Sequence, residues 1–169
     1  MPGRLVIFCG IPGSGKTTIA RKVAAQNEPS VHLQTDAIRG MIPRPTYSAE
    51  ESEFVYDACV AAAREALDSG YFVILDGTFG SSRRREAALS ALEGHYTSAE
   101  VVHVVCDLET ALRRNSERLR VVPEDRLKGI LAAFEAPVGA ITIDTSTTPP
   151  EDASLKVVRT SVYPLVPPE

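Results

Sequence analysis

A glycine-rich motif of eight residues near the start of the chain restricts the fold more than any other feature. It follows a short apolar run at residues 5–9 and precedes a segment of helical period. The motif reads GxxxxGKT and consists of Gly10, Ile11, Pro12, Gly13, Ser14, Gly15, Lys16 and Thr17. Glycines let a strand-to-helix turn close tightly, so that main-chain amides and the start of the helix face an anion. The segment therefore predicts a phosphate-binding loop in an α/β protein, against a chance glycine-rich turn.

The residues of this loop predict a nucleotide and a metal ion. Lys16 is expected to reach the β- and γ-phosphates of a nucleoside triphosphate, and the Thr17 hydroxyl is expected to bind Mg²⁺. The predicted nucleotide-binding set is the loop together with Thr18. ATP is the expected nucleotide and GTP the alternative. The turn at residues 144–146, which is expected to border the base, lacks an NKxD-type guanine signature.

Five short runs rich in Val, Ile and Leu alternate with segments of helical period. The runs predict strands at residues 5–9, 31–34, 71–75, 101–106 and 140–143. The periodic segments predict helices at residues 16–26, 49–68, 83–92, 109–119, 124–134 and 151–158. Most runs are continuously apolar, as expected of a sheet covered on both faces. The alternation predicts a parallel, doubly wound α/β sheet with right-handed crossovers.

Length, charge and cysteine content restrict the class of protein. The 169 residues, 44% of them apolar, predict one domain over residues 1–169 with an irregular, proline-rich tail at 162–169. The formal net charge of −4 argues against a protein that coats nucleic acid. Cys9, Cys59 and Cys106 lack CxxC spacing, which suggests neither disulfides nor zinc. Without a signal-peptide core or a membrane-length apolar run, the expected location is the cytoplasm.

Asp76 directly follows the third apolar run. A carboxylate at the carboxyl end of a central strand faces the crevice where open α/β sheets bind ligands, so Asp76 is predicted to hold the Mg²⁺ with Thr17. The alternative is that Asp76 caps the turn at Gly77 and Thr78, as Asp often does.

Asp36 and Arg39 follow the second predicted strand and would share a face if a helical turn began there. Asp36 is predicted to accept the proton of an acceptor hydroxyl, and Arg39 to hold an anionic group of that acceptor. The alternative is an N-capping Asp beside an exposed Arg. Arg44 and Tyr47, in the proline-bracketed loop that follows, are weaker candidates for acceptor contact.

Two groups of arginines are candidates for the triphosphate and acceptor sites. Arg114 and Arg118 lie four residues apart, can point the same way, and are predicted to neutralise the phosphates; neighbouring members of the group are Arg113 and Arg120. A second run, at residues 83–85, follows Asp76 closely enough to border the acceptor pocket. The alternative for both groups is a solvated helix face. The histidines show no spacing typical of a metal site or catalytic dyad, which favours structural roles.

Taken together, these residues resemble the small P-loop kinases that include polynucleotide 5′-kinase domains, seryl-tRNA kinases and zeta-toxin-like enzymes. The matching positions are Gly10 to Thr17, Asp36 with Arg39, residues 76–79 with 83–85, Arg114, Asn115 and Arg118, and residues 122–124 and 134–137. The resemblance implies an adenylate-kinase-like fold with a parallel five-stranded sheet of order 2-3-1-4-5. It also implies lid-like helices at about 109–137, Asp36 as general base, Arg39 on the acceptor, and Arg114 and Arg118 on the ATP phosphates.

The expected function is transfer of the γ-phosphoryl group of Mg²⁺-bound ATP to an acceptor hydroxyl. The acceptor is a small molecule or a nucleic-acid end, and the acidic charge favours the small molecule over a 5′-hydroxyl end or tRNA. A nucleotide-dependent switch with slow hydrolysis is the alternative. Asp36 and Arg39 favour the kinase, because a switch needs no acceptor base. The identity of the acceptor and the oligomeric state stay open.

Overall fold

The computed structural model describes residues 2–162 of the chain. The strands in this range are β1 (Gly3–Cys9), β2 (Ser30–Gln34), β3 (Phe72–Asp76), β4 (Tyr96–Val105) and β5 (Ile141–Asp144). The helices are α1 (Lys16–Ala25), α2 (Thr35–Gly40), α3 (Ala49–Asp68), α4 (Ser82–Ala91), α5 (Leu108–Ser116), α6 (Glu124–Ala132) and α7 (Pro150–Val162). The strands pair in parallel in the order β2-β3-β1-β4-β5. The predicted fold and strand order are confirmed.

Each face of the sheet carries its own apolar core. On β1, Val6 and Phe8 pack toward α1 and α7, whereas Leu5, Ile7 and Cys9 pack toward α3 and α4. Side chains of successive strand residues point to opposite faces, so a strand covered on both sides must be apolar at every position. This requirement explains the continuous apolar runs of the two central strands.

The clearest differences from the predicted pattern are in α2, β4, α5 and α7. The six-residue α2 was not predicted as a helix of its own, because it is too short to show a helical period. β4 begins at Tyr96, since its polar first half still pairs with β1 across a register shift. α5 ends at Ser116, before Arg118. The predicted tail begins at Val162, which is the last residue of α7 here; residues 163–169 lie outside the described part.

The helices pack around the sheet as helices of a globular domain do. α3 is the longest in the described range, with 20 residues, and buries one stripe that includes Val55, Cys59, Ala63 and Leu67. Across residues 2–162, no helix has both the length and the apolar character that a bilayer crossing requires. At their carboxyl ends, β1 leads into the phosphate-binding loop and β2 leads into α2, while β3 ends at Asp76. These parts therefore meet at one end of the strands.

Candidate active site

Glycines with positive φ fold the loop between β1 and α1. Gly10, Gly13 and Gly15 have φ values of 149°, 82° and 95°. A Cβ atom at Gly13 would lie 2.3 Å from the carbonyl oxygen of Ala111, so no side chain fits there. Gly10 donates its N–H to the Thr78 carbonyl at 3.1 Å, which ties the loop to the segment after β3. The predicted nucleotide-binding loop thus has a conformation that glycine permits and other residues resist.

The N-terminal end of α1 lacks the side-chain cap that three other helices have. Ser48, Ser81 and Asp107 each accept a backbone N–H at the start of α3, α4 and α5. Gly15 supplies no such cap to α1, and the first turn of α1 has no acidic side chain. The first amides of a helix, including that of Thr18, have no carbonyl partner within the helix. This end of α1 therefore fits an anion such as a triphosphate.

The Lys16 side chain is buried inside the loop. Its Nζ donates to the Ile11 carbonyl at 2.8 Å and lies 3.5 Å from Ser14 Oγ. Burial lowers the pKa of the Lys16 ammonium below its ordinary value, and the carboxylates of Asp76 and Asp36 oppose that shift. A desolvated cation gains most from an anionic partner, so this lysine is suited to bind phosphate.

Asp76 ends β3 and faces Thr17. The Thr17 hydroxyl donates to Asp76 Oδ2 at 2.8 Å, and His32 Nε2 lies 3.0 Å from the same oxygen. Hydroxyl and carboxylate oxygens are ligands that Mg²⁺ prefers, so the donor set fits this cation. Within residues 2–162, no cluster of three or more His, Cys, Asp or Glu side chains is placed to hold a metal. A cation at Thr17 and Asp76 would therefore depend on phosphate and water for its other ligands.

The short helix α2 places Asp36 and Arg39 in different surroundings. The Asp36 side chain is 70% exposed, and its Oδ2 lies 2.5 Å from Nη2 of Arg118. Arg39 is buried; it pairs with Glu51 and donates to Ser52 Oγ at 3.2 Å. The predicted base is thus accessible, whereas the guanidinium predicted to hold the acceptor is already held by a carboxylate of α3.

The two predicted phosphate arginines point to different regions. Arg114 of α5 donates to the Thr145 hydroxyl at 2.7 Å and to the Thr145 carbonyl at 3.1 Å. That hydroxyl in turn donates to the Ser14 carbonyl at 2.7 Å, so Arg114 is linked to the phosphate-binding loop. Arg118 reaches Asp36 instead. The four-residue spacing does not align the two arginines, because α5 ends between them.

A contact that sequence reasoning missed joins α6 to the acceptor loop, which is the segment at residues 41–48. The Arg126 guanidinium lies 4.4 Å from the centroid of the Tyr47 ring, and that of Arg39 lies 4.7 Å from it. Arg120, after α5, approaches Gly40, with Nη1 3.8 Å from the position a Cβ would take. No local pattern links these distant parts of the chain. The segment at residues 109–137, which is predicted to contain lid-like helices, therefore contacts α2 and the acceptor loop.

Two arginines of the basic run at the start of α4, residues 83–85, contact other parts of the protein. Arg85 is buried and donates to the Phe79 carbonyl at 2.7 Å. Arg84 pairs with Glu53 of α3 at 2.6 Å, and its guanidinium lies 4.1 Å from the centroid of the Tyr56 ring. The alternative of a solvated helix face is therefore wrong for two of the three arginines.

A cavity of about 150 Å³ lies between α3 and α4. Its lining includes the exposed Arg83 and Asp57 and the partly buried Tyr56, whose hydroxyl accepts the N–H of Phe79 at 3.2 Å. Burial raises the pKa of Tyr56, the bond from Phe79 opposes that rise, and Asp36 is close enough to add to it. Among the residues that line the cavity, Tyr56 is therefore one that Asp36 affects electrostatically.

Comparison with known proteins gives one family and a set of relatives. A family model described as an AAA domain matches residues 5–137. The L-seryl-tRNA(Sec) kinase of Methanococcus maripaludis is 30% identical over 154 residues, which are 84% of this chain and 59% of that protein. The chain thus spans less than two thirds of the length of this relative.

Two solved structures with similar architecture are described as kinases. An unliganded sugar kinase from Janibacter sp. HTCC2649 superposes with a TM-score of 0.74 at 23% identity, over 95% of both chains. The APS kinase of Mycobacterium tuberculosis, in complex with AMPPNP and APS, gives a TM-score of 0.77 at 18% identity, over 94% of this chain and 96% of that one. At these identities the likeness shows the fold, which is that of the P-loop kinases.

Proposed function

The chain belongs to the AAA domain family of P-loop kinases, and on that premise we propose that it transfers the γ-phosphoryl group of ATP to a hydroxyl of a small-molecule acceptor. The observation that carries this proposal is the position of Asp36. Its side chain is 70% exposed on α2, which directly follows β2 at the end of the sheet where the phosphate-binding loop and Asp76 also lie. An exposed carboxylate at the end of the sheet that holds the phosphate-binding loop is placed where an acceptor base is needed.

The donor side of the reaction rests on main-chain groups and two cations. The amides of residues 13–18 and the Lys16 ammonium would hold the β- and γ-phosphates, and Arg114, linked to the same loop through Thr145, would add positive charge. Thr17 and Asp76 would hold Mg²⁺, which when bound neutralises phosphate charge.

On the acceptor side, the acceptor oxygen forms a bond to the γ-phosphorus while the bond to the leaving ADP oxygen breaks. The proton of the acceptor hydroxyl passes to Asp36, whose side chain is exposed enough to meet a substrate. Arg118 supplies positive charge next to Asp36. The contacts of Arg39 with Glu51 and Ser52 support a role in fixing α2 against α3, more than direct contact with the acceptor.

The cavity between α3 and α4 supports a compact acceptor. One of its lining residues, Tyr56, interacts electrostatically with Asp36, and a cavity of roughly this volume admits about one six-membered ring. The names of the relatives refer to seryl-tRNA, a sugar and APS, which are three different acceptors. They therefore do not point to a single acceptor for this chain.

The three free thiols, two of them buried, support a reducing location such as the cytoplasm.

The test is transfer of label from [γ-³²P]ATP to a panel of hydroxyl metabolites and to a 5′-hydroxyl oligonucleotide. We expect a labelled small molecule, formed about 10²- to 10³-fold more slowly by the Lys16→Ala variant. Label on the oligonucleotide alone would overturn the choice of a small-molecule acceptor. Transfer to no acceptor, together with nucleotide-dependent binding of a partner protein, would replace the kinase with the switch.

A further inference from the structure

His32 makes a contact that the proposed chemistry does not yet use. The residue lies on β2, which is the outermost strand on one side of the sheet, and its Nε2 is 3.0 Å from Oδ2 of Asp76. The same oxygen accepts the hydroxyl proton of Thr17 at 2.8 Å. The side chains of His32 and Asp76 are 11% and 3% exposed. A buried imidazole, a buried carboxylate and a hydroxyl of the phosphate-binding loop therefore form one connected group.

The strand register explains how these side chains meet. His32 is paired with Ile74 in the parallel ladder between β2 and β3, and Asp76 lies two residues beyond Ile74. Residues two apart on a strand point to the same face, so Asp76 shares a face with His32. Ile74 packs on the face covered by α1, which carries Thr17. The contact between His32 and Asp76 thus follows from the fold, because the register directs both side chains to this face.

The direction of the hydrogen bond follows from the carboxylate. An ionised carboxylate only accepts hydrogen bonds, so Nε2 of His32 carries the proton and donates it. A buried carboxylate costs free energy unless it is hydrogen-bonded, and donors placed at one oxygen also restrict its rotation. A hydroxyl donates a single proton, so without His32 the Thr17 hydroxyl would be the remaining donor of this group to Asp76 Oδ2.

We propose that His32 is a positioning residue for the magnesium site: it holds the Asp76 carboxylate in the orientation in which Thr17 and Asp76 together receive Mg²⁺. This inference rests on the proposed metal role of those two residues. Partners that hydrogen-bond a metal-binding carboxylate orient it, and their loss typically lowers metal affinity about 10- to 100-fold. His32 itself touches no phosphate-binding group of the loop and is not a catalytic residue.

The test compares two variants that differ by one methylene. The amide of Gln at position 32 can reach the place of Nε2, whereas the amide of Asn is too short. AMPPNP is titrated into each protein by calorimetry, once with Mg²⁺ and once with EDTA, and the ratio of the two dissociation constants gives the metal-dependent gain. We expect His32→Asn to lower this gain about 10- to 100-fold without changing the affinity in EDTA, and His32→Gln to recover most of it.

A matched control is available elsewhere in the molecule. His95 Nδ1 lies 2.7 Å from Asp68 Oδ1, in a more exposed pair between α3 and the start of β4. His95→Ala removes this contact and should leave the gain unchanged. Thermal unfolding midpoints show that each variant is folded. A wild-type gain in the folded Asn variant would overturn the role of His32. Equal affinity of the wild-type protein in Mg²⁺ and EDTA would overturn the proposed metal role, and this inference with it.

Discussion

The donor and acceptor sides of the cleft are held together by different kinds of contact. The donor region, which is residues 10–17 with Asp76 and Arg114, is held by bonds to main-chain carbonyls, from the Gly10 N–H to Thr78 and from the Lys16 ammonium to Ile11. The acceptor region, which is α2, the acceptor loop and the segment from Arg118 through α6, is held by long side chains, as in the contact of Arg126 with Tyr47. A main-chain site is fixed before its ligand arrives; a site made of exposed side chains can rearrange when one binds.

The energetics follow the same division. The donor region lies on the core: Asp76 and Lys16 are buried, and the loop is bonded to the segment after β3. The ion pair of Asp36 with Arg118 has side chains 70% and 33% exposed, and such pairs contribute little to stability. We therefore expect donor substitutions to change every step of the reaction, and acceptor substitutions to change transfer alone.

The largest effect is expected for Lys16→Ala. The lysine would contact phosphate in both the ground state and the transition state, so the variant should bind ATP more weakly and lose about 10²- to 10³-fold in transfer rate. Calorimetry with AMPPNP and single-turnover transfer measure the two effects. Lys22→Ala, on the same helix, removes a partly exposed lysine paired with Glu151 and should change neither. Unchanged AMPPNP affinity in Lys16→Ala would remove this lysine from the donor site.

A smaller and more selective effect is expected for Asp36→Asn. The amide keeps the shape of the side chain but cannot take a proton, so transfer should fall about 100-fold while ATP affinity stays the same. Single-turnover transfer and AMPPNP titration separate these quantities. Asp152→Asn, at an exposed position of α7, serves as a control of the same chemistry. Transfer at the wild-type rate would show that Asp36 is not the base.

This difference between the regions also explains what the sequence could predict. The donor loop could be predicted because glycines at fixed spacing, a preceding apolar run and a following helix are all local in the chain. The fold could be predicted because α/β alternation leaves few topologies. The pairing of Arg39 with Glu51 could not, since Glu51 also fits the S-x-x-E pattern of a helix start with Ser48. His32 gave no signal, because its partner Asp76 lies on another strand.

Arg114 and Arg118 test this division of the cleft, because they are close in sequence but belong to different regions. Arg114→Ala removes hydrogen bonds beside the phosphate-binding loop and should raise the Kd of ATP about tenfold. Arg118→Ala should instead lower the transfer rate about tenfold at unchanged ATP affinity, with less effect at high salt because the arginine is partly exposed. Steady-state kinetics at two ionic strengths, with AMPPNP titration, measure both. The same kinetic change in the two variants would contradict the division of the cleft.

The smallest effect concerns pH. Burial lowers the pKa of His103 below its ordinary value of 6.5, and the positive charges of Arg85 and Lys16 add to this. The stability contributed by the neutral imidazole is therefore complete above pH 6.5 and is lost as the pH falls through the lower folded-state pKa. Urea unfolding of the wild-type protein and of His103→Gln, from about pH 5 to 8, should give curves that converge toward acid. A constant difference between the curves would show that His103 does not titrate differently on folding.

In the proposed reaction the γ-phosphoryl group moves from the donor site to the acceptor site of one cleft and not to water. The most direct measurement is the partition of label from [γ-³²P]ATP between the acceptor found in the panel and inorganic phosphate, for the wild-type protein and Asp36→Asn. We predict that the wild-type protein places most of the label on the acceptor and that Asp36→Asn loses this product. Label released only as inorganic phosphate by the wild-type protein, at a rate unaffected by any acceptor, would contradict the account.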